Sequence, residues 1–372
     1  MKILYVGHYK EGSGWSKAAI DLILSMHSVG MDVTCRNIKL TNNNPTIDPI
    51  ILELENKPLN NIDVCIQHVL PHHMVGTQKF KKNIAYFVGE SSTTLYNPWF
   101  ICLQHMDEVW VPNKNLMDNL INDGLNKKVR VVHHASNTSK MIQPDIKFMF
   151  PNSGNFKFYY IGELNDRKNV ESIVRSFHSE FANFEPVSLV LKIKKHGVSA
   201  PDLTKYCEQI CTTIKKELRM YKDIDSYHKE LIIADDIDDK HIDILHNSCD
   251  CFISPSHGEG WSIPAFDAMR YGKTPICSNE GGPREFIDIN DKNTGTLING
   301  IYSTCNHSDP AFMDIFTGRE DWFIPSEYEI KKAMRFYYKN RDKIDRKAGF
   351  KTSEKFSYKT IGNTIRDILN DK

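Results

Sequence analysis

The chain has 372 residues, 40% of them hydrophobic and 25% charged, with 47 Lys+Arg set against 47 Asp+Glu. That length suits about two domains of ordinary size, each able to fill a core without a disulfide or metal staple. The balance excludes a disordered chain, a uniformly basic nucleic-acid coat and an acidic tail protein, while leaving local patches of either sign open.

Lys2–Val6 is expected as a first strand and not a secretory leader, because charged and glycine residues follow it at once. The loop Gly7–Ser16 leads into a helix over Lys17–Val29, ended by Gly30, and a second strand over Asp32–Asn37. Further strands are expected at Val64–Gln67, Asn83–Val88, Glu108–Val111 and Val129–His133. Asn137–Asn155, with Pro144, Pro151 and Gly154, reads as a linker. Alternation then restarts: strand Phe156–Ile161, helix Asn169–Phe181, strand Leu189–Lys194, helix Leu203–Met220, strand Glu230–Ala234. Helix Asp239–Asn247, strand Cys251–Ser254, helix Ile263–Tyr271 and strand Thr274–Ser278 follow. A chain that restarts α/β alternation near its midpoint implies two similar doubly wound domains facing each other.

No apolar run long enough to span a membrane occurs. Nine cysteines are scattered without zinc spacing, which suits buried thiols in a reducing cytosol. After strand 1, Gly7, Gly12 and Gly14 precede a helix, so a ligand could approach the backbone there; a merely flexible loop is the alternative. Lys17 occupies the third place of G-x-G-x-x-G, which disfavours a dinucleotide fingerprint.

The densest signal is Ser254–Gly272, SPSHGEGWSIPAFDAMRYG, just after an apolar strand. Open α/β sheets bind ligands at that carboxyl edge. Gly258 and Gly260 flank Glu259, Pro264 suits a helix start, and Asp267 follows Glu259 by eight residues. Two carboxylates placed this way could accept hydrogen bonds from two hydroxyl sets. The competing reading is a surface loop and a solvated helix.

This segment resembles the E-x7-E signature of retaining GT-B glycosyltransferases, family 4-like, in which Ser256, Glu259, Gly260, Trp261, Ile263, Pro264, Ala268, Met269, Gly272 and Pro275 fall in register. The resemblance implies two Rossmann-like doubly wound α/β domains facing a central cleft, with a C-terminal helix crossing back to the first. The expected division is 1–150 (acceptor domain), 151–350 (donor domain) and 351–372 (returning helix). It implies that Glu259 contacts the donor sugar and Asp267 the ribose. Asp267 is one methylene shorter than the usual Glu, and Ser262 replaces the usual Gly. Tyr160–Phe177 is similar to a second family stretch and sets Lys168 on its diphosphate-binding Lys, while Glu163 replaces the family's Arg. Arg167, or Lys192 in the next strand, is the candidate for the missing cation. Gly281 and Gly282, with Gly260, Trp261 and Gly14, are expected to border the donor. Glu90, in YFVGESS, lies where the family often has an active-site His. Asn113 stands where a strand–P-S–helix step has Ser.

The implied activity is transfer of a sugar, with retention, from a nucleotide diphosphate sugar to a hydroxyl of a glycan, lipid, protein or DNA. No metal cofactor is required by the resemblance. The alternative is a sugar-nucleotide-binding protein without transferase activity, motivated by Glu163 and Asp267.

Asp235-Asp236 and Asp238-Asp239 are read as helix-capping acids, and His72-His73 and His133-His134 as loop or site-lining histidines. Lys331–Lys359 carries eleven Lys/Arg against three acids, interleaved with aromatics. It is either a solvated helical face over an aromatic core or a surface for an anionic membrane or DNA. The expected location is cytoplasmic, with peripheral membrane association open.

Overall fold

In the computed structural model, residues 1–41, 45–138, 146–307 and 315–371 are described. Pro144 of the expected linker lies outside them, and 146–155 forms no helix or strand. The chain divides into two compact units: Met1–Lys140 with Asp314–Glu320 and Ser353–Lys372, and Met141–Met313 with Asp321–Thr352.

The first unit is built on a parallel sheet of β1 (Lys2–Gly7), β2 (Asp32–Asn37), β3 (Val64–His68), β4 (Lys82–Tyr86), β5 (Glu108–Val111) and β6 (Lys128–Val131), in the order β2-β1-β3-β4-β5-β6. The order reverses between β1 and β3, which is a topological switch point. Its central strands are mostly apolar because helices cover both faces, and β3 and β5 are buried throughout, whereas β6 at the edge is only partly buried. Helices α1 (Gly14–Ser28), α2 (Pro49–Glu55), α3 (Trp99–Gln104) and α4 (Lys114–Asn122) intervene. α1 begins three residues before the expected start: the Ser13 hydroxyl accepts from the Ser16 N–H at 3.3 Å and caps it. Asn113 caps α4 by accepting from the Leu116 N–H at 2.8 Å.

The second unit is built on β7 (Phe156–Glu163), β8 (Val187–Lys194), β9 (Leu231–Ile233), β10 (Cys251–Ser254), β11 (Thr274–Ser278) and β12 (Thr296–Ile298). All pairings are parallel, in the order β12-β11-β10-β7-β8-β9, the doubly wound arrangement with its switch point between β7 and β10. Helices α5 (Val170–Glu180), α6 (Ala200–Leu218), α7 (Asp239–Ser248), α8 (Ile263–Arg270) and α9 (Pro283–Phe286) alternate with these strands. Phe158, Phe177 and Phe181 interlock at ring separations of 5.3–6.3 Å to form the core between β7 and α5. An antiparallel ribbon, β13 (Gly300–Thr304) with β14 (Asp321–Pro325), adds to this unit and is followed by α10 (Glu327–Lys339) and α11 (Arg346–Glu354). The sequence patterns did not foresee the ribbon, α2 or β12, all short.

The last helix, α12 (Tyr358–Asn370), packs on α1 in the first unit, as the expected returning helix. Ile361 and Ile365 are buried, and Gly362 lets the backbones approach: a Cβ there would lie 2.2 Å from the Ser25 carbonyl. Tyr358 donates to Asp21 at 2.5 Å. The basic stretch splits in its roles. Arg335 is held by Glu180 and Glu185, Tyr337 and Phe356 are buried, and Lys339, Lys343, Lys347, Lys351 and Lys355 are exposed.

Candidate active site

The site in the second unit follows from its switch point. β7 and β10 are neighbours, so the loops leaving their carboxyl ends meet, although they are 91 residues apart. After β7, Asn165 accepts from the Lys168 N–H at 3.1 Å and fixes a single 3-10 turn, Asp166–Lys168. Asn169 then takes φ +52°, a conformation that asparagine tolerates, and its side chain donates to the Pro255 carbonyl at 3.0 Å. Two adjacent cations are thereby aimed at the β10 loop.

Glu259 is their target and is 8% exposed. Lys168 Nζ lies 2.5 Å from Oε1, the Ser256 hydroxyl donates to the same oxygen at 2.7 Å, and Arg167 Nη1 is 3.9 Å from Oε2. Arg167 also donates to the Gly258 carbonyl at 2.6 Å. Burial pushes the Glu259 carboxyl up, but Lys168, then Arg167 and the hydrogen bonds, overcome it and hold the group below its ordinary range. It is therefore an ionised, enclosed carboxylate and not a surface loop acid. Behind it, the Ser278 hydroxyl donates to the Ser256 carbonyl at 2.5 Å.

The glycines are explained by close approach. Gly281 has φ +61°, and a Cβ there would stand 2.1 Å from the Glu259 carbonyl; at Gly282 it would stand 2.2 Å from Trp261 Cα. Gly282 N–H donates to the Glu259 carbonyl at 3.0 Å, so the loop carrying Glu259 is locked to the β11–α9 turn. Ser262 has φ +68° at the N-cap of α8. Ser262 thus occupies a left-handed position of the kind that glycine adopts without strain.

Asp267 is buried on α8, not solvated, and pairs with Arg270 at 3.1 Å. Gly260 and Trp261 are buried within the same loop. Lys192 is buried at the end of β8, and its ammonium donates to the Ile193 carbonyl at 3.1 Å. Burial lowers its pKa, and the acids that act on it are Asp235 and Asp236; among the described residues no ion pair joins it to Glu259. Arg167 is the second cation that the fold brings to Glu259. Glu163, on β7, accepts from Asn165 at 3.1 Å. Asp238 caps α7 by accepting from the His241 N–H at 2.8 Å.

Glu90 and Gly14 lie in the first unit. Glu90 is half-buried in the loop after β4, and Gly14 opens α1. That unit also holds an aromatic cluster at the carboxyl ends of its strands. His8 donates from Nδ1 to the Ile38 carbonyl at 2.7 Å and accepts the Leu70 N–H at Nε2, 3.0 Å, which fixes a neutral tautomer. The His68 ring sits 5.1 Å from Trp15 and 4.5 Å from Tyr86, with Nδ1 2.7 Å from the Tyr5 hydroxyl. Sequence reasoning singled out neither His8 nor His68. Their signal was a histidine at or just past a strand end.

Among the described residues, no group of three or more His, Cys, Asp and Glu is placed to hold a metal ion, and no helix is long and apolar enough to cross a membrane. All nine cysteines are free thiols, eight of them buried.

Residues 142–300 match the model of the family described as glycosyl transferases group 1. The fold is shared with sucrose-phosphate synthase of Thermosynechococcus elongatus at 12% identity, TM-score 0.69, covering 100% of this chain and 98% of that one. It is shared with Anabaena HepE in complex with UDP and glucose at 13% identity, TM-score 0.63, covering both chains fully. An E. coli structure named for trehalose-6-phosphate and bound with UDP-2-fluoro glucose aligns at 9% identity, TM-score 0.66, covering 100% and 99%. No curated protein sequence matches the chain. The doubly wound pair of units and the family match agree: residues 142–300 match the glycosyl transferases group 1 model, within a GT-B fold.

Proposed function

We propose that the protein transfers a sugar from a nucleoside diphosphate sugar to an acceptor hydroxyl with retention of anomeric configuration. The observation that carries this reading is the charge cluster at the switch point: two adjacent cations facing one enclosed carboxylate. The leaving diphosphate gains negative charge as its bond to the sugar breaks, and Lys168 and Arg167 supply fixed positive charge for it. Lys168 exchanges its Glu259 partner for a phosphate oxygen on donor binding. Glu259, still held by Ser256, then accepts from hydroxyls of the donor sugar. Asp267, shared with Arg270, accepts from the ribose hydroxyls. The reading assigns charge stabilisation to side chains, without a resident metal. Glu90 is assigned to orienting the transferred sugar or the acceptor hydroxyl.

The test is a thermal-shift screen against UDP, GDP, ADP and their glucose conjugates, followed by turnover with the donor that responds. A ligand well above its dissociation constant raises stability by about 2.7 kcal/mol at a hundredfold excess. Product anomeric configuration, read by NMR, tests retention. No response to any nucleotide refutes the site, and binding without turnover on a broad acceptor panel favours a sugar-nucleotide-binding protein.

A further inference from the structure

The family match ends at residue 300, the first residue of β13, so the ribbon β13–β14 beyond Gly300 lies outside the matched region. Its contacts nevertheless run into the site. His257, two residues before Glu259, is bound to β14 on both sides of its own chain: Phe323 N–H donates to the His257 carbonyl at 3.0 Å, and His257 Nδ1 donates to the Phe323 carbonyl at 2.9 Å. The imidazole lies parallel to the Trp322 indole, 18° between planes and 5.6 Å between centroids. Trp322 is 1% exposed, so this face of the ribbon is part of the core. The His257 N–H donates in turn to the Arg167 carbonyl at 2.8 Å. One residue thereby joins the ribbon, the cation turn and the Glu259 loop. A second link runs from β13: the Tyr302 hydroxyl donates to Glu280 at 2.6 Å, next to Gly281 and Gly282.

We propose that the β13–β14 ribbon is a brace for the donor site, with His257 as the positioning residue that fixes Arg167 and Glu259 against it. The proposal rests on the nucleotide-sugar reading of that site. Its physical basis is that a glycine-flanked loop has few conformational constraints of its own. The Glu259 loop has Gly258 and Gly260 on either side of its carboxylate. Beside the Gly282 bond, two hydrogen bonds and a ring stack onto a folded ribbon supply a further constraint. A loop held to within a fraction of an ångström keeps its charges aligned with the diphosphate.

The experiment compares His257→Ala, His257→Asn and His257→Gln with the unsubstituted chain. Asn carries an amide N–H at the δ position, where Nδ1 donates, whereas Gln carries it one atom further out. Affinity for UDP, GDP and ADP is measured by calorimetry beside the unfolding midpoint. The expected result is a roughly 10-fold weaker nucleoside diphosphate affinity in the Ala and Gln variants, the scale of one lost hydrogen bond with its alignment, and near-complete rescue in the Asn variant. Tyr302→Phe, which deletes one hydroxyl, keeps the test open if His257→Ala does not fold; it is expected to weaken binding about 3-fold. Equal affinity in all variants, or equal loss in Asn and Ala, overturns the brace while leaving the site reading intact. No diphosphate binding by the unsubstituted chain overturns both.

Discussion

Replacing Lys168 by Met removes one charge while keeping most of the side-chain stem, and the structure gives the size of the effect. Lys168 Nζ is 2.5 Å from a carboxylate that is 8% exposed, and the nearest other cation is 3.9 Å away. Loss of a hydrogen bond to a charged group costs about 1.5–3 kcal/mol of stability. Loss of one transition-state charge stabiliser costs at least about 10²-fold in turnover. The stability cost should also depend on pH. In the unsubstituted chain burial raises the Glu259 pKa, but Lys168 and Arg167 bring it below its ordinary value. Its contribution is thus present above the unfolded value of about 4.3 and is lost as pH falls through the lower folded one. Without Lys168 that lowering is smaller, so the variant gains less stability as its carboxylate ionises. The gap between the two proteins should widen as pH rises through the folded Glu259 pKa and level off above the unfolded value of about 4.3. Urea unfolding at several pH values and donor turnover at neutral pH check both halves. A gap that stays flat with pH, or turnover within about 3-fold of the unsubstituted enzyme, refutes the argument.

Three further outcomes follow from single positions. Ser262→Gly, at φ +68°, should raise the unfolding midpoint, by about 0.5–1 kcal/mol in stability; a lower midpoint would show that the hydroxyl matters more than the turn. Gly281→Ala must displace the Glu259 carbonyl from 2.1 Å at a left-handed position, so about 2–4 kcal/mol of stability and most nucleotide affinity should be lost in denaturant and calorimetric measurements. Asp267→Asn removes the charge shared with Arg270 and, on the proposed reading, offered to the ribose; steady-state kinetics should show KM for the donor raised about 10-fold with kcat little changed, and a fall in kcat alone would remove Asp267 from the ribose.

Much of this was legible in the sequence because it is local. Apolar β-branched runs between helical patterns marked every strand of both sheets except β12, and four of them, Asp32–Asn37, Glu108–Val111, Cys251–Ser254 and Thr274–Ser278, have the expected ends. The register of Ser254–Gly272 singled out Glu259, Asp267 and the glycines. Strand order, however, depends on pairings between distant segments, and those decide which loops become neighbours. Lys168 and Glu259 meet because β7 and β10 are adjacent; the same rule carries Lys192, one strand further out, to Asp235 and Asp236 instead of to Glu259. The burial of Asp267 and the brace at His257 were equally hidden, since neither leaves a periodic trace. The neutral charge balance of the whole chain spoke only of bulk properties. Tertiary structure decided where its charges matter, because an ion pair gains its strength from the burial that only packing provides.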